Sequence, residues 1–163
     1  MLFITTYITL KVILYSSMAK SINVSIEINS PIEKVWQEVS NIRNHSTWMN
    51  DAESIEFLSE QENGVGTKIV VLTKVGPIKL KDYMTFTKWI NHREIEVSHK
   101  GIVTGKGSFL LESIDVERTN FSWKETLRFP IILGGVLGEI FGGYILKKIW
   151  LKNIKNLKKI IES

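Results

Sequence analysis

The chain has 163 residues, no cysteine and a formal net charge of +4 at pH 7. This length suits one domain whose core is large enough to be stable without disulfides or structural metal ions. The lack of cysteine excludes disulfides, thiolate metal sites and cysteine nucleophiles. The three histidines, His45, His92 and His99, show no metal-ligand spacing. The sequence therefore predicts neither a metal site nor a cofactor.

The first twenty residues, MLFITTYITLKVILYSSMAK, are more apolar than the chain that follows. Lys11 interrupts them, and the uninterrupted apolar stretch is shorter than the ~20 residues that cross a bilayer. We therefore expect translation to begin at Met18, with residues 1–17 as an extension that adds nothing to the core. Residues 18–163 then form the domain. A membrane-targeting role for the extension is the alternative.

The segment from Ser21 to Trp48 predicts a strand, a capped helix and a second short helix in succession. Apolar and polar residues alternate from Ile22 to Ile28, which is the period of a strand with one buried face. Ser30 can cap a helix, Pro31 suits its first position, and Glu33 can reach back to the cap. The predicted buried face of this helix comprises Ile32, Val35, Trp36 and Val39.

Six further segments alternate in polarity or are rich in β-branched residues, and short polar or glycine-bearing turns separate them. Short turns make consecutive strands antiparallel neighbours. The predicted strands are Ala52 to Leu58, Thr67 to Val75, Ile78 to Ile90, Arg93 to His99, Val103 to Ile114 and Asn120 to Phe129. With the first strand, they make a seven-stranded antiparallel sheet.

A long helix is predicted from about Glu139 to the end of the chain. Its two faces differ in polarity, as in a helix that lies on a sheet. The apolar face carries Trp150, Ile154, Leu157 and Ile161. The opposite face carries Lys148, Lys152, Lys155 and Lys159.

This order of elements resembles the helix-grip, or Bet v 1-like, fold of the START-like (SRPBCC) superfamily. The residues that carry the resemblance are Ser30-Pro31-Ile32-Glu33 with Trp36, Asn41 before Trp48, the Gly64-Val65-Gly66-Thr67 turn, Trp89, and Leu111-Glu112. Within the superfamily the chain looks most like the polyketide cyclase/dehydrase-like group, which includes coenzyme Q-binding proteins. The resemblance implies an α+β fold whose sheet and last helix enclose a hydrophobic cavity. Many relatives have an acidic residue where this chain has Asn41, so no role of that carboxylate is carried over.

Strand parity predicts which side chains face such a cavity. Bulky apolar residues share one face on several strands, although any sheet with one buried face shows the same alternation. Gly142 and Gly143 lie on or near the inward side of the last helix and leave space there. The predicted ligand-binding residues are Leu80, Met84, Phe86, Val97, Phe109, Leu111, Phe121, Trp123, Leu127, Gly142, Gly143, Leu146 and Trp150.

Three ionisable residues, Asp82, His99 and Glu125, interrupt these apolar stripes. A buried charge is costly unless it is paired, so each of them is either partnered or functional. As general acids or bases they would serve a cyclase or dehydratase. As one satisfied polar cluster they would merely line the cavity. The second interpretation is favoured, because no nucleophile, metal site or phosphate loop accompanies them.

The apolar segment PIILGGVLGEIFGGYIL, from Pro130 to Leu146, contains five glycines and one charged residue. It is interpreted as a gate over the cavity or as a segment at a membrane interface. The lysine face that follows is interpreted as the solvated side of the helix, and an anionic membrane surface is the alternative partner. Nucleic acid binding is disfavoured, because the tryptophans have buried positions in the predicted fold and are not free for base stacking.

The sequence as a whole predicts a cytoplasmic protein that binds or carries a hydrophobic small molecule of the lipid, polyketide or isoprenoid class. Two alternatives stay open. The first is an enzyme of the cyclase or dehydratase type that uses Asp82, His99 and Glu125. The second is an accessory protein peripheral to a membrane surface. The oligomeric state cannot be predicted from the sequence.

Overall fold

The structure, a computed structural model, describes residues 20–130 and 135–163, with side chains described for residues 21–130 and 141–163. The amino-terminal extension predicted over residues 1–17 lies outside the described residues. None of the helices in the described part of the chain combines the length and hydropathy that crossing a bilayer requires.

The described residues form seven strands and three helices. The strands are β1 (Lys20–Ile28), β2 (Ala52–Phe57), β3 (Lys68–Val75), β4 (Ile78–Ile90), β5 (Glu94–Lys100), β6 (Thr104–Asp115) and β7 (Arg118–Arg128). The helices are α1 (Ile32–Ser40), α2 (His45–Trp48) and α3 (Gly135–Glu162), and a 3-10 turn (Ile42–Asn44) joins α1 to α2. All seven predicted strands are present, because strand periodicity is strong wherever one face of a sheet is buried.

The strands form one antiparallel sheet in the order β1-β7-β6-β5-β4-β3-β2. From β2 to β7, each strand pairs with the next one along the chain; residues 58–67 join β2 to β3, and shorter turns join the others. The first strand instead pairs with the last, and α1 and α2 carry the chain from β1 to β2 at the opposite edge. The helix-grip α+β fold expected from the sequence is confirmed.

Helix α3 lies on the concave face of the sheet and packs mainly against β1. Its predicted apolar face is buried: Trp150, Ile154, Leu157 and Ile161 are at most 4% exposed. The predicted lysine face, Lys148, Lys152, Lys155 and Lys159, is exposed. The amphipathic pattern therefore predicted the orientation of this helix correctly.

The predicted ends of two helices are wrong. Ser30 makes no capping bond, and α1 begins at Ile32 with Pro31 in the cap position. Ser30 is buried instead, and its carbonyl accepts a 2.8 Å hydrogen bond from the Thr119 hydroxyl on β7. Helix α3 begins at Gly135, earlier than the predicted Glu139.

The carboxyl-terminal half of α3 is held to the α2–β2 connection by a buried amide. Asn153 is fully buried. Its Oδ1 accepts a 3.0 Å hydrogen bond from the backbone N–H of Asn50, and its Nδ2 donates a 2.6 Å hydrogen bond to Asp51 Oδ1. One side chain thus satisfies two groups that lie between the helix and the sheet.

We expect Asn153→Ala to lower the free energy of unfolding by about 1–3 kcal/mol, because it removes two partly buried hydrogen bonds, from the Asn50 N–H and to Asp51 Oδ1. Urea denaturation of the full chain measures this difference. The matched control is Asn156→Ala, which removes one 3.2 Å hydrogen bond to the carbonyl of Trp48 from a partly buried position. Asn156→Ala should lower the free energy of unfolding by less than Asn153→Ala does. Equal losses for the two variants would contradict the anchoring role of Asn153.

Candidate functional site

A cavity of about 420 Å³ lies between the concave face of the sheet and α3. Strands β2 to β7, the α2 region and α3 all contribute to its wall. Most of the lining side chains are aliphatic or aromatic, with a few polar groups on the sheet. Both the volume and this composition are typical of small-molecule sites, which span about 300–1,000 Å³.

Most of the predicted ligand-binding residues line this cavity. They share the strand parity that faces α3, or the side of α3 that faces the sheet. They are Leu80, Met84, Phe86, Val97, Phe109, Trp123, Leu127, Gly142, Leu146 and Trp150. Within the wall, the indole rings of Trp123 and Trp150 stack with their centroids 4.9 Å apart. This stack joins β7 directly to α3.

Three predicted ligand-binding residues lie outside the cavity wall. Leu111 and Phe121 face each other across β6 and β7 and are buried in the core. They lie behind Phe109, whose ring centroid is 5.5 Å from that of Phe121. Gly143 faces β1, because a Cβ there would lie 3.5 Å from Ile22 Cδ1. Strand parity chose the correct face for Leu111 and Phe121, but it could not predict how far along that face the cavity extends.

The two helix glycines therefore have different surroundings. A Cβ at Gly142 would lie 3.4 Å from the ring of Phe129, at the cavity wall. Consecutive helix residues point about 100° apart, so only one member of the pair can face the cavity. The gate predicted from Pro130 to Leu146 falls largely outside what the structure describes, because residues 131–134 and the side chains of residues 135–140 are not described.

The predicted polar residues Asp82, His99 and Glu125 converge on the cavity wall. His99 Nδ1 lies 2.7 Å from Asp82 Oδ2 in a hydrogen bond. His99 Nε2 lies 3.0 Å from Glu125 Oε2, close enough for an ion pair, but the two atoms are not aligned as a hydrogen bond. The other oxygen of Glu125 accepts a 2.8 Å hydrogen bond from Trp123 Nε1. A chain of polar contacts thus runs across β4, β5 and β7.

Two glycines of β6 make this arrangement possible. His99 on β5 and Glu125 on β7 are separated by β6, so their strands lie about 10 Å apart. Gly105 is the β6 partner of His99, and Gly107 is the partner of Glu125. A Cβ at Gly107 would overlap the Glu125 carboxylate. Because β6 has no side chains at these positions, the imidazole and the carboxylate can meet above it.

These glycines were not predicted as part of the site. Gly105 has φ +151°, and a Cβ there would overlap the carbonyl oxygen of Thr126 on β7. The signal that could have indicated them is the sequence Gly105-Lys106-Gly107 inside a strand, because glycine in a strand interior often marks a close approach of other groups. Asp51 and His45, which also line the cavity, were missed as well. No periodic pattern distinguishes those two residues.

The cluster holds His99 in its charged form. Burial alone would lower the pKa of His99, but the carboxylates of Asp82 and Glu125 outweigh it and raise that pKa to about 10, from an ordinary value of 6.5. The side chain is 6% exposed. At neutral pH His99 is therefore an imidazolium between two carboxyl groups, and it has no lone pair with which to accept a proton.

Two other ionisable groups in the wall respond mainly to burial. Burial raises the pKa of Asp51, the Asn153 hydrogen bond opposes that change, and the nearby charge of Glu125 adds to it. Burial lowers the pKa of His45 to about 4, although its Nε2 lies 2.8 Å from the carbonyl oxygen of Val39. At neutral pH, therefore, His99 carries a positive charge and His45 is neutral.

We expect NMR titration to show His99 doubly protonated at pH 7 and deprotonating near pH 10, with His45 neutral until about pH 4. The pKa of His99 is raised by folding, so its contribution to stability is full below about pH 6.5 and is lost as the pH rises to about 10. The pKa of His45 is lowered, so His45 destabilises the fold as the pH falls from about 6.5 to 4. Glu125→Gln should lower the pKa of His99. A His99 titration near pH 6.5 in the native protein would contradict the buried ion cluster.

Comparison with solved structures shows the same fold in many proteins of low sequence identity. A protein from Thermus thermophilus has a TM-score of 0.72 at 15% identity, covering 87% of this chain and 97% of its own. The Zhui aromatase/cyclase from Streptomyces sp. R1128 has a TM-score of 0.72 at 14% identity, covering 88% and 93%. A START superfamily protein from Mycobacterium smegmatis has a TM-score of 0.71 at 11% identity, covering 87% and 97%.

At these identities the similar structures establish the fold alone. No curated protein matches the sequence. The family comparison is more specific, because it matches the sequence itself over nearly the whole domain. Residues 19–162 match the family described as "Polyketide cyclase / dehydrase and lipid transport". The chain belongs to this family, within the START-like (SRPBCC) superfamily.

Proposed function

We propose that this protein binds a hydrophobic small molecule of the lipid, polyketide or isoprenoid class in the cavity between the sheet and α3, as a noncatalytic binder or carrier. The observation that carries the proposal is the cavity itself, about 420 Å³ of largely apolar space. Close-packed protein interiors contain few empty spaces of this size. Burial of an apolar molecule there would remove its surface and that of the wall from water.

The rim of the cavity supports entry of an apolar ligand. Ile78 on β4, Ile102 in the β5–β6 turn and Phe141 and Ile145 on α3 all line the cavity. Each of them is also between 49% and 69% exposed. Contiguous exposed apolar side chains around an opening mark a contact site for an apolar molecule or surface.

The membrane-surface role is a further proposal that this rim supports. Helix α3 carries two of the exposed rim residues, Phe141 and Ile145, and then the exposed lysine face. The Lys148 ammonium lies 4.4 Å from the centre of the Tyr144 ring, which is itself 63% exposed. Apolar side chains beside lysines favour a surface of anionic headgroups. An anionic membrane would then be the source from which the ligand enters the cavity.

A cyclase or dehydratase is the second candidate function, and the convergence of Asp82, His99 and Glu125 favours it. The family description and the name of the Streptomyces relative are consistent with it. The charge state of His99 argues against the histidine as a base, because an imidazolium has no free lone pair. Proton abstraction would fall to a carboxylate of Asp82 or Glu125. We therefore prefer the binder.

We expect Val97→Phe to weaken binding of the neutral dye Nile red by about tenfold or more, because overpacking a filled site costs about 1–3 kcal/mol. Val97 lines the cavity from β5. Fluorescence titration measures the dissociation constant, and circular dichroism reports whether the variant is folded. The matched control is Val116→Phe in the β6–β7 turn, where Val116 is 82% exposed. Equal affinities in two folded variants would place dye binding outside this cavity.

We expect Glu125→Gln to change ligand affinity or stability by the ~1–3 kcal/mol of a lost buried polar partner. If Glu125 were a general acid or base, its removal would cost ~10²–10⁴-fold in rate while binding was kept. The assay measures both binding and turnover of the compound that co-purifies with the protein. Intact binding together with a large loss of turnover would contradict the proposed carrier function and show that Glu125 is a catalytic residue.

A further inference from the structure

The polar cluster of the cavity wall contains three buried polar atoms that make no hydrogen bond with the described residues: Asp82 Oδ1, His99 Nε2 and Glu125 Oε2. The last two lie 3.0 Å apart as an ion pair. Asp82 Oδ1 and Glu125 Oε2 are buried and accept no hydrogen bond from any described residue. Both residues line the cavity. Buried polar atoms in folded proteins nearly always have a partner. Both oxygens lie just beneath the cavity surface, so a ligand group in the cavity would reach them after a small rotation of the Asp82 or Glu125 side chain.

The charges around these atoms are unbalanced toward the negative. Asp82 and Glu125 contribute two carboxylates against the single positive charge of His99. Asp51 is a third acid in the wall, and Lys81 also lines the cavity from an exposed position. Lys81 has the opposite strand parity to Asp82 and lies beside water. The buried part of the wall therefore favours groups that donate protons in hydrogen bonds and disfavours added negative charge.

The contacts within the cluster fix its two oxygens in place. Asp82 is held by His99 on one oxygen, and Glu125 is held by Trp123 on one oxygen. The other oxygen of each residue accepts no hydrogen bond, although Glu125 Oε2 also lies 3.0 Å from His99 Nε2. Fixed acceptors in an apolar wall give orientation and selectivity to a ligand that the apolar wall alone would bind without preference.

We propose that the ligand is an apolar molecule with a hydrogen-bond-donating group, either a hydroxyl or an ammonium. This group donates hydrogen bonds to Asp82 Oδ1 and Glu125 Oε2. The cavity rejects molecules whose polar group is a carboxylate. This inference rests on the proposed function, because it requires the cavity to bind an apolar ligand. It adds the chemistry of the polar end. Because carboxylates are in excess in the wall, we expect a ligand with an ammonium to bind most tightly, one with a hydroxyl less tightly and one with a carboxylate least tightly.

The test uses decylamine, decanol and decanoate, three molecules with the same apolar chain and different polar ends. Each molecule is titrated, at concentrations below those at which it forms micelles, to displace Nile red from the native protein at pH 7.5. We expect decylamine to bind about tenfold or more tightly than decanoate, with decanol between them, because hydrogen bonds to charged groups carry that much discrimination. The ratio of the affinities for decylamine and decanoate is measured on the native protein alone, so this part of the test does not depend on the folding of a variant.

The variant Asp82→Asn/Glu125→Gln replaces the carboxylates by neutral amides of nearly the same shape. Folded protein of this variant should lose the preference for decylamine over decanoate while it still binds Nile red. Asp115→Asn is the matched control, because Asp115 is an exposed partner of Arg118 at the far end of β6. It should keep the native ratio. If Asp82→Asn/Glu125→Gln does not fold, Asp82→Asn alone should reduce the ratio, since Asp82 is the more exposed of the two acids.

The possible outcomes separate this inference from the proposed function. Equal binding of the three molecules to the native protein would overturn the inference and leave the apolar cavity as a binding site. A preference for decylamine that survives in folded Asp82→Asn/Glu125→Gln would also overturn it, since the acceptors would then lie elsewhere. Failure of Nile red and all three molecules to bind would overturn both.

Discussion

A buried imidazolium between two carboxylates is the interaction on which the chemistry of this cavity depends. His99 reaches Asp82 on one side and Glu125 on the other, so it links three strands of the sheet through a single ring. A buried charge must be paired to be tolerated. The pairing in turn requires glycine at position 107 of β6, because a side chain there would overlap the Glu125 carboxylate. The cluster therefore constrains the sequence on four neighbouring strands.

The cavity around this cluster exists because α3 is held away from the middle of the sheet. The helix packs mainly on β1, and it reaches β7 through the stacked rings of Trp150 and Trp123. Asn153 fixes its carboxyl-terminal half to the α2–β2 connection. Because these contacts hold α3 against one side of the sheet, the helix need not fill the space above β3, β4 and β5. A ligand site thus follows from the packing of one helix against one side of a wide sheet.

The sequence predicted the faces of the elements better than the extent of the site. Alternation placed Leu80, Val97 and Trp123 on the cavity side correctly, because the side-chain period of a strand depends only on local backbone geometry. The same rule could not separate Phe109, which lines the cavity, from Phe121, which lies behind it in the core. That distinction depends on where α1 and α3 cover the sheet, which is a property of the tertiary structure.

Contacts between distant strands were partly predictable. The inward parity of Asp82, His99 and Glu125 indicated that they would share one face, but whether they met depended on register and on the glycines of β6. The cap predicted at Ser30 did not form, and Ser30 is buried where its backbone carbonyl accepts a long-range hydrogen bond from the Thr119 hydroxyl. Asp51 gave no local signal at all, because its partner Asn153 is far away in the sequence. Long-range pairing decided each of these cases.

The most direct test of this account is a crystal structure of the protein with decylamine bound. The account predicts the decyl chain inside the cavity between the sheet and α3. It also predicts the ammonium nitrogen within hydrogen-bond distance, about 2.7–3.2 Å, of Asp82 Oδ1 or Glu125 Oε2. A decyl chain outside the cavity, or an ammonium that points away from both carboxylates toward solvent, would contradict it.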